Sequence, residues 1–449
     1  MTLRNYATNV AMALVLALTF MACYVGFLHE HWEYVGYGLY SRTLDFLFLS
    51  VVIALIPSLC YRGQVATSSL LSVLIYALLY VPIILTFALA SKRPVVEILM
   101  VQLDFMLGMC LLFVVDALPL RMPALLAANV NLIQWVLVLT IVTTLYLVMV
   151  YRGNLRFVTS FDKTLYEQRF ATRDIGSGVV VRYGSAWLTS VMIPLCLAYG
   201  LAARKTLYFV AGVAACVVIY MATAAKGVIL LPIIFLGLRQ LLRGSRFPRV
   251  FPYFLGALSL GMLALAFLTK PDGGFFFVLA ALVLVRTVGN GGQITMTYDD
   301  FFATHPHTVY THLNLIKKFT GAYPYGDLDL GQVIGQYYYS LDMNANANFW
   351  ASDGIGALGL LGIPVASIGC ALLFVAINAA TRRHSRVFVI LSFMPFMLSL
   401  LNVSLLQSIW SGGAFFLLMF FAFANPTELG EQMPSDATRP VGVLAGVNA

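Results

Sequence analysis

Residues 275–302 read FFFVLAALVLVRTVGNGGQITMTYDDFF, and the fold turns on how this stretch is placed. Its leading apolar run, Phe275 to Val285, has 11 residues. A helix needs about 20 apolar residues to cross a bilayer. The run therefore predicts a short re-entrant or half helix near 275–285, sheltered by surrounding protein. The chain around it is overwhelmingly apolar: 61% of its 449 residues are hydrophobic and 10% charged, where a soluble domain carries about a quarter charged. The fold class is an all-α polytopic integral membrane protein. A β-barrel would instead show alternating segments of about ten residues.

About 12 spans are expected, at 7–28, 44–61, 69–90, 95–116, 124–150, 182–201, 206–224, 227–242, 251–269, 354–379, 387–404 and 405–424. The first run lacks a small-residue cleavage site and reads as a retained helix. Lys and Arg in short loops set the orientation. Arg239, Arg243, Arg246 and Arg249 form one cytoplasmic cluster, and Arg382, Arg383 and Arg386 another. Arg62, Arg121, Arg204 and Lys205 fall on the same side; Lys92 and Arg93 fall opposite and count against this placement. Two clusters on one side require an even number of crossings between them. Helices 251–269 and 354–379 supply two, so the run at 275–285 does not cross. This leaves two large periplasmic loops, 151–181 and 270–353, on a single membrane domain spanning 1–449, with a polar, disordered tail at 426–449.

The net charge of +8 reports membrane anchoring and does not imply nucleic acid. Cys23, Cys60, Cys110, Cys196, Cys216 and Cys370 lie in or at the ends of apolar helices without metal or redox spacing, and read as small core residues.

Chemistry is expected in the polar stretches. Arg169 and Arg173 are four residues apart, on one face if helical, and two guanidinium forks suit phosphate oxygens. Lys226, flanked by apolar residues, either caps a tight turn or lends charge to a diphosphate. Arg286 precedes Gly289, Gly291 and Gly292, which permit close backbone approach without forming a P-loop. His305, His307 and His312 lack a Cys or carboxylate ligand at helical spacing, so no metal is predicted. They and the Asp299–Asp300 pair are candidate acids or bases. Asp327-Leu-Asp329 is a short pattern common by chance. Asn344, Asn346 and Asn348 alternate ahead of Phe349 and Trp350; amides beside aromatic faces suit sugars. Asp353 is a candidate general base, or else the cap of a helix starting near Gly354.

These residues resemble the Wzy-type O-antigen polymerases, the oligosaccharide repeat-unit polymerases. The resemblance is carried by Tyr166-Glu-Gln-Arg169 with Arg173, by Tyr220 to Lys226, by Arg286 ahead of Tyr298-Asp-Asp-Phe-Phe302, and by Asn346-Ala-Asn348-Phe-Trp350 with Asp353-Gly354. Some members show Arg-x10-Gly in both large loops. Arg173 and Gly184 fit it, whereas Thr297 stands where a glycine would follow Arg286. The resemblance implies a glycosyltransferase-C-like membrane enzyme of the bacterial inner membrane, without metal or cofactor. It implies transfer of a glycan from undecaprenyl diphosphate to a hydroxyl of a second lipid-linked oligosaccharide at the periplasmic face. Arg169, Arg173, Lys226 and Arg286 would bind diphosphate, with Arg173 and Arg286 also catalytic. Asp353 would be the base, with Asp299, Asp300, His305 or His307 behind it. Tyr298, Asn346, Asn348 and Trp350 would hold sugar. A chain-length regulator and a flippase are the implied protein partners. An O-antigen ligase acting on lipid A core, a transporter of lipid-linked oligosaccharide, and an envelope scaffold are the rival expectations.

Overall fold

The computed structural model describes residues 3–63, 66–115, 131–158, 167–168, 171–172, 175–242, 250–269, 274–341 and 343–425. Its regular elements are all helical among these residues. Nine described helices are long and apolar enough to cross a membrane: α1 (Asn5–Val35), α3 (Ser68–Ala90), α4 (Val95–Val115), α5 (Leu132–Val150), α6 (Val179–Ala202), α7 (Thr206–Thr223), α9 (Val250–Leu268), α10 (Phe275–Phe302) and the bent segment Trp350–Thr381. Shorter helices are α2 (Leu44–Cys60), α8 (Lys226–Leu242), α11 (Asn314–Thr320) and α12 (Leu330–Tyr338).

Helix α3 is the axis of the bundle, buried along its whole length. A membrane offers helices no hydrophobic drive toward one another, so packing and buried polar bonds hold them. Gln102 of α4 donates to Ser50 of α2 at 3.1 Å and to the Ile84 carbonyl of α3 at 2.9 Å. Tyr76 and Tyr80 of α3 donate to the Ala54 and Ile53 carbonyls of α2. Each such bond contributes on the order of 0.6 kcal/mol.

The bundle has two distinct ends. At the first, Ser68 N–H donates to Asn378, Tyr61 stacks on Phe251, and His384 pairs with the Phe421 carbonyl. Arg62, Arg382 and Arg383 gather here, as their shared sidedness in the sequence predicts. At the second end, Tyr40 N–H donates to the Leu89 carbonyl, and Arg42 to the carbonyls of Ser91 and Arg93.

The 275–285 run is not a separate half helix. It continues through a π-helical stretch, Ala281–Gly289, into Asn290–Phe302, giving one helix of 28 residues. Length alone would upset the parity of crossings, but the helix does not return the chain to the first end. It starts beside Thr269, past the far end of α9 from Phe251, and finishes at the second end with Asp299 beside Arg93. Gly291 and Gly292, read as loop glycines, are packing glycines in α10. A Cβ on Gly292 would lie 2.5 Å from Thr86 Oγ1 and 2.7 Å from the Pro82 carbonyl oxygen of α3.

The re-entrant element lies elsewhere. Residues 350–358 form a short limb, α13, that reverses at Gly359 (φ +66°) and runs back along α14 (Gly362–Thr381). Trp350 Nε1 donates to Ser367 Oγ at 2.8 Å, although 17 residues separate them. A Cβ on Gly362 would overlap the Gly354 carbonyl, so the two limbs touch through glycine. After α15 (Arg386–Leu400), the span expected at 405–424 is two short helices, α16 (Leu405–Trp410) and α17 (Ala414–Phe423). They break at Gly413 (φ +80°), where a Cβ would meet the Ser190 hydroxyl and Val191. The expected span starting at 124 is described from Leu132, and the tail at 426–449 lies outside the described residues.

Gly292→Ala should lower stability by about 1–3 kcal/mol, the usual cost of overpacking, because the backbone oxygen of Pro82 has nowhere to move. Thermal unfolding in detergent measures this; an unchanged midpoint would mean that α10 and α3 do not approach so closely.

Candidate functional site

The second end of the bundle holds two buried charge clusters. Arg93, in the short link between α3 and α4, lies 3.0 Å from Asp299 Oδ2 and 3.4 Å from Asp300 Oδ1. It also donates to the Asp299 carbonyl at 2.5 Å. Asp299 is almost wholly buried, whereas Asp300 is partly open. Lys92 and Arg93 ran against the expected orientation; the pairing explains Arg93, which is held by carboxylates from α10.

The second cluster is centred on Asp353, which is 2% exposed. Its Oδ1 is 3.3 Å from His312 Nε2, and its Oδ2 accepts the Leu405 N–H at 2.5 Å. The other imidazole nitrogen, Nδ1, lies 2.8 Å from Thr308 Oγ1. Thr308 in turn donates its N–H (2.9 Å) and its hydroxyl (3.1 Å) to the Gly356 carbonyl. The result is a series of hydroxyl, imidazole and carboxylate that joins the 308–312 turn, the re-entrant limb and the start of α16. The intervening Val309 and Tyr310 both have left-handed backbones, φ +44° and +63°. A β-branched residue there is strained, and such strain persists where the surroundings over-determine the geometry. Here the Val309 N–H is bonded to the Ala357 carbonyl at 3.0 Å.

Asp353 is thus not the cap of its own helix; its buried carboxylate joins the 308–312 turn to the start of α16. Thr308 is 1% exposed, so its hydroxyl serves the imidazole and is not an open nucleophile. The pairing of His312 with Asp353 was not anticipated, and Arg93 was missed as a site residue. The available signal was charge: two adjacent carboxylates at the end of a membrane-length helix and one more in an apolar limb each need a cation or donor.

The expected sugar-binding row divides. Trp350 is fully buried against Phe105 and Ser367. Asn348 is spent on its own backbone, accepting from Trp350 N and Ala351 N and donating to Thr295 Oγ1 at 2.8 Å. Tyr298 is buried and donates to the Ala345 carbonyl at 3.0 Å. These three hold the bundle together and offer no face to a ligand. Asn346 stays exposed, its amide lying over Gly331. The stretch 270–353 is therefore no free outer loop; much of it is core.

His305 stacks flat on Phe301 at 4.0 Å and His307 on Phe302 at 5.6 Å. Asp329 caps α12 with Gln332, and Asp327 pairs loosely with Lys317 at 3.6 Å. No group of three potential metal ligands occurs among the described residues.

Arg169 and Arg173 lie outside the described residues. Their neighbours dock the first polar segment against the end of α7: Gln168 donates to the Asn154 and Met221 carbonyls, and Tyr220 donates to the Val158 carbonyl. Lys226 opens α8, two residues after Ala224 closes α7 in a left-handed conformation (φ +51°). Gln168, residues 154–158 and the turn bearing Lys226 thus belong to one corner of the protein. Arg286 is exposed on the π-helical stretch of α10. Comparison of the chain with family models, curated proteins and solved structures finds no match.

Removing Arg93 would strand two carboxylates, one of them buried. Arg93→Ala should cost about 3–5 kcal/mol, and Arg93→Met with Asp299→Leu should recover most of it. Unfolding midpoints of the single and double variants test this; additive losses would mean that the pair is not coupled. Asp353→Ala orphans the Leu405 N–H and the imidazole, at about 1–3 kcal/mol for each group. If its midpoint matches that of the unmodified chain, the joint described above does not form.

Proposed function

We propose that this protein is a membrane glycosyltransferase of the bacterial inner membrane that polymerises undecaprenyl-diphosphate-linked oligosaccharide repeat units at its periplasmic face. The observation that carries the reading is the Asp353–His312 pair, an ionisable couple inside an apolar bundle, where such groups are costly and serve function by default. A proton acceptor held against a fixed carboxylate is what transfer to a hydroxyl requires.

In this reaction the acceptor hydroxyl loses its proton to His312 Nδ1, which exchanges its contact with the Thr308 hydroxyl for one with the acceptor while Nε2–H stays on Asp353. The acceptor oxygen attacks the anomeric carbon of the donor glycan, forming the new glycosidic bond. The bond from that carbon to the phosphate oxygen breaks, and the lipid diphosphate leaves with the electron pair. Negative charge grows on the leaving oxygen, so fixed cations lower the barrier. Arg169, Arg173, Lys226 and Arg286 are the groups assigned to it, with Arg173 and Arg286 given the catalytic role. The resemblance in the loop motifs and the docking of the first polar segment beside the Lys226 turn both favour that assignment. The gathering of Arg62, Arg382 and Arg383 at the opposite end of the bundle supports the periplasmic placement of this site.

Transport of the same lipid-linked glycan is the second reading. It is favoured by the re-entrant limb at 350–358, since broken helices meeting a buried charge are also how transporters build a central site.

Full-length protein in nanodiscs, given undecaprenyl-diphosphate-linked repeat units, should yield a ladder of glycan lengths. Arg173→Ala and Arg286→Ala should slow elongation by about 100-fold or more. Transfer of a single glycan to lipid A core would make the protein a ligase. Movement of substrate across a bilayer without new bonds would make it a transporter.

A further inference from the structure

Trp350 and Asn348 are buried, so a glycan held at the second end must meet other groups. We infer that His305, Tyr337 and Tyr338, beside Asp300, form a sugar-binding platform for neutral pyranose rings. The biological occupant rests on the glycan substrate proposed above; the chemical class rests on the platform itself.

Tyr337 and Tyr338 are 60% and 41% exposed at the end of α12. Their rings meet edge-on at 4.8 Å. Tyr337 also stands edge-on to His305 and to Phe301, 5.2 Å from each. The stack of His305 on Phe301 thus fixes one wall, and the tyrosines form the other. An aromatic face takes the C–H side of a sugar ring, while the hydroxyls at its edge need donors and acceptors. His305 Nδ1 lies 2.9 Å from the Phe301 carbonyl, which can only accept. That nitrogen therefore carries the proton, and in the neutral ring Nε2 is left as an acceptor. Asp300, partly open, supplies a carboxylate, and its charge helps push the Tyr338 hydroxyl up to about 12, behind burial. Asn346, exposed over the other end of α12, adds an amide.

Charge decides which ligand suits this surface. Three carboxylates (Glu97, Asp299 and Asp300) meet three cations here: Lys92, Arg93, and Arg42, which bonds the Ser91 and Arg93 carbonyls. The charges balance, so the patch has no surplus positive charge to draw phosphate headgroups and suits a neutral polyol. An interfacial anchor would need a net positive balance beside its aromatic rings.

The test is chemical footprinting of the full chain in phosphatidylcholine nanodiscs. Tyrosine iodination is followed by peptide mass, with maltoheptaose, chitotetraose or mannopentaose at millimolar concentration. At least one of these should slow modification of Tyr337 and Tyr338 by about threefold, the scale of a single aromatic contact. Tyr337→Ala should abolish the protection at Tyr338, and Tyr337→Phe should retain it. Absence of protection by all three glycans overturns the platform. So does protection produced by phosphatidylglycerol nanodiscs without glycan, which would make the patch a headgroup anchor. Because footprinting needs no turnover, protection without a polymer ladder would leave the platform standing and remove the polymerase reading.

Discussion

Asp353 sits where three parts of the chain meet, and its carboxylate is held from two sides. His312 reaches it from the 308–312 turn at 3.3 Å, and the Leu405 N–H reaches it from α16 at 2.5 Å. A buried carboxylate without such partners would shift its protonation or destabilise the fold. The 308–312 turn is clamped to Gly356 and Ala357 so that the imidazole points inward, and Val309 and Tyr310 take left-handed backbones within it. The reversal at Gly359 lets the re-entrant limb lie against α14 and present Asp353 to α16. Turn, limb and short helix depend on one charge.

The same constraint shapes the other cluster. Arg93 lies in a link of few residues between two long helices, where its charge needs a partner. Asp299 and Asp300 close the last turns of α10 beside it. This fastens α10 to the α3–α4 link at the second end, while Gly291 and Gly292 bring its middle against α3. Charge pairing and close glycine contact thus place a 28-residue helix that apolarity alone would have left free to cross.

For function, the second end matters because its ionisable side chains are paired in the core while aromatic faces remain open above them. A transferase for lipid-linked glycans needs a proton acceptor, cations for a leaving diphosphate, and a surface for neutral rings. Under the proposed function those needs map to different residues: the Asp353–His312 couple, the arginines with Lys226, and the tyrosines of α12. Separating cations from sugar contacts has a physical logic, since a sugar surface rich in arginine would also capture phosphate headgroups.

The class of the protein is determined by its sequence. Apolar runs of membrane length set the helices, and the arginines at 62, 382 and 383 that belong on one side do gather at one end. Segment boundaries such as Val95–Val115 and Thr206–Thr223 follow hydropathy closely, because a polar residue at a helix end is cheap and one in its middle is not. The tertiary structure decided what hydropathy cannot encode. Whether 275–285 ends or continues depends on the neighbours of Gly291 and Gly292. Whether Trp350 faces a ligand or Ser367 depends on a reversal nine residues later. That His312, rather than His305 or His307, meets Asp353 depends on a strained turn 41 residues away. Local composition reports how much a segment prefers lipid to water, but a buried polar partner is a long-range fact, fixed by which helices touch.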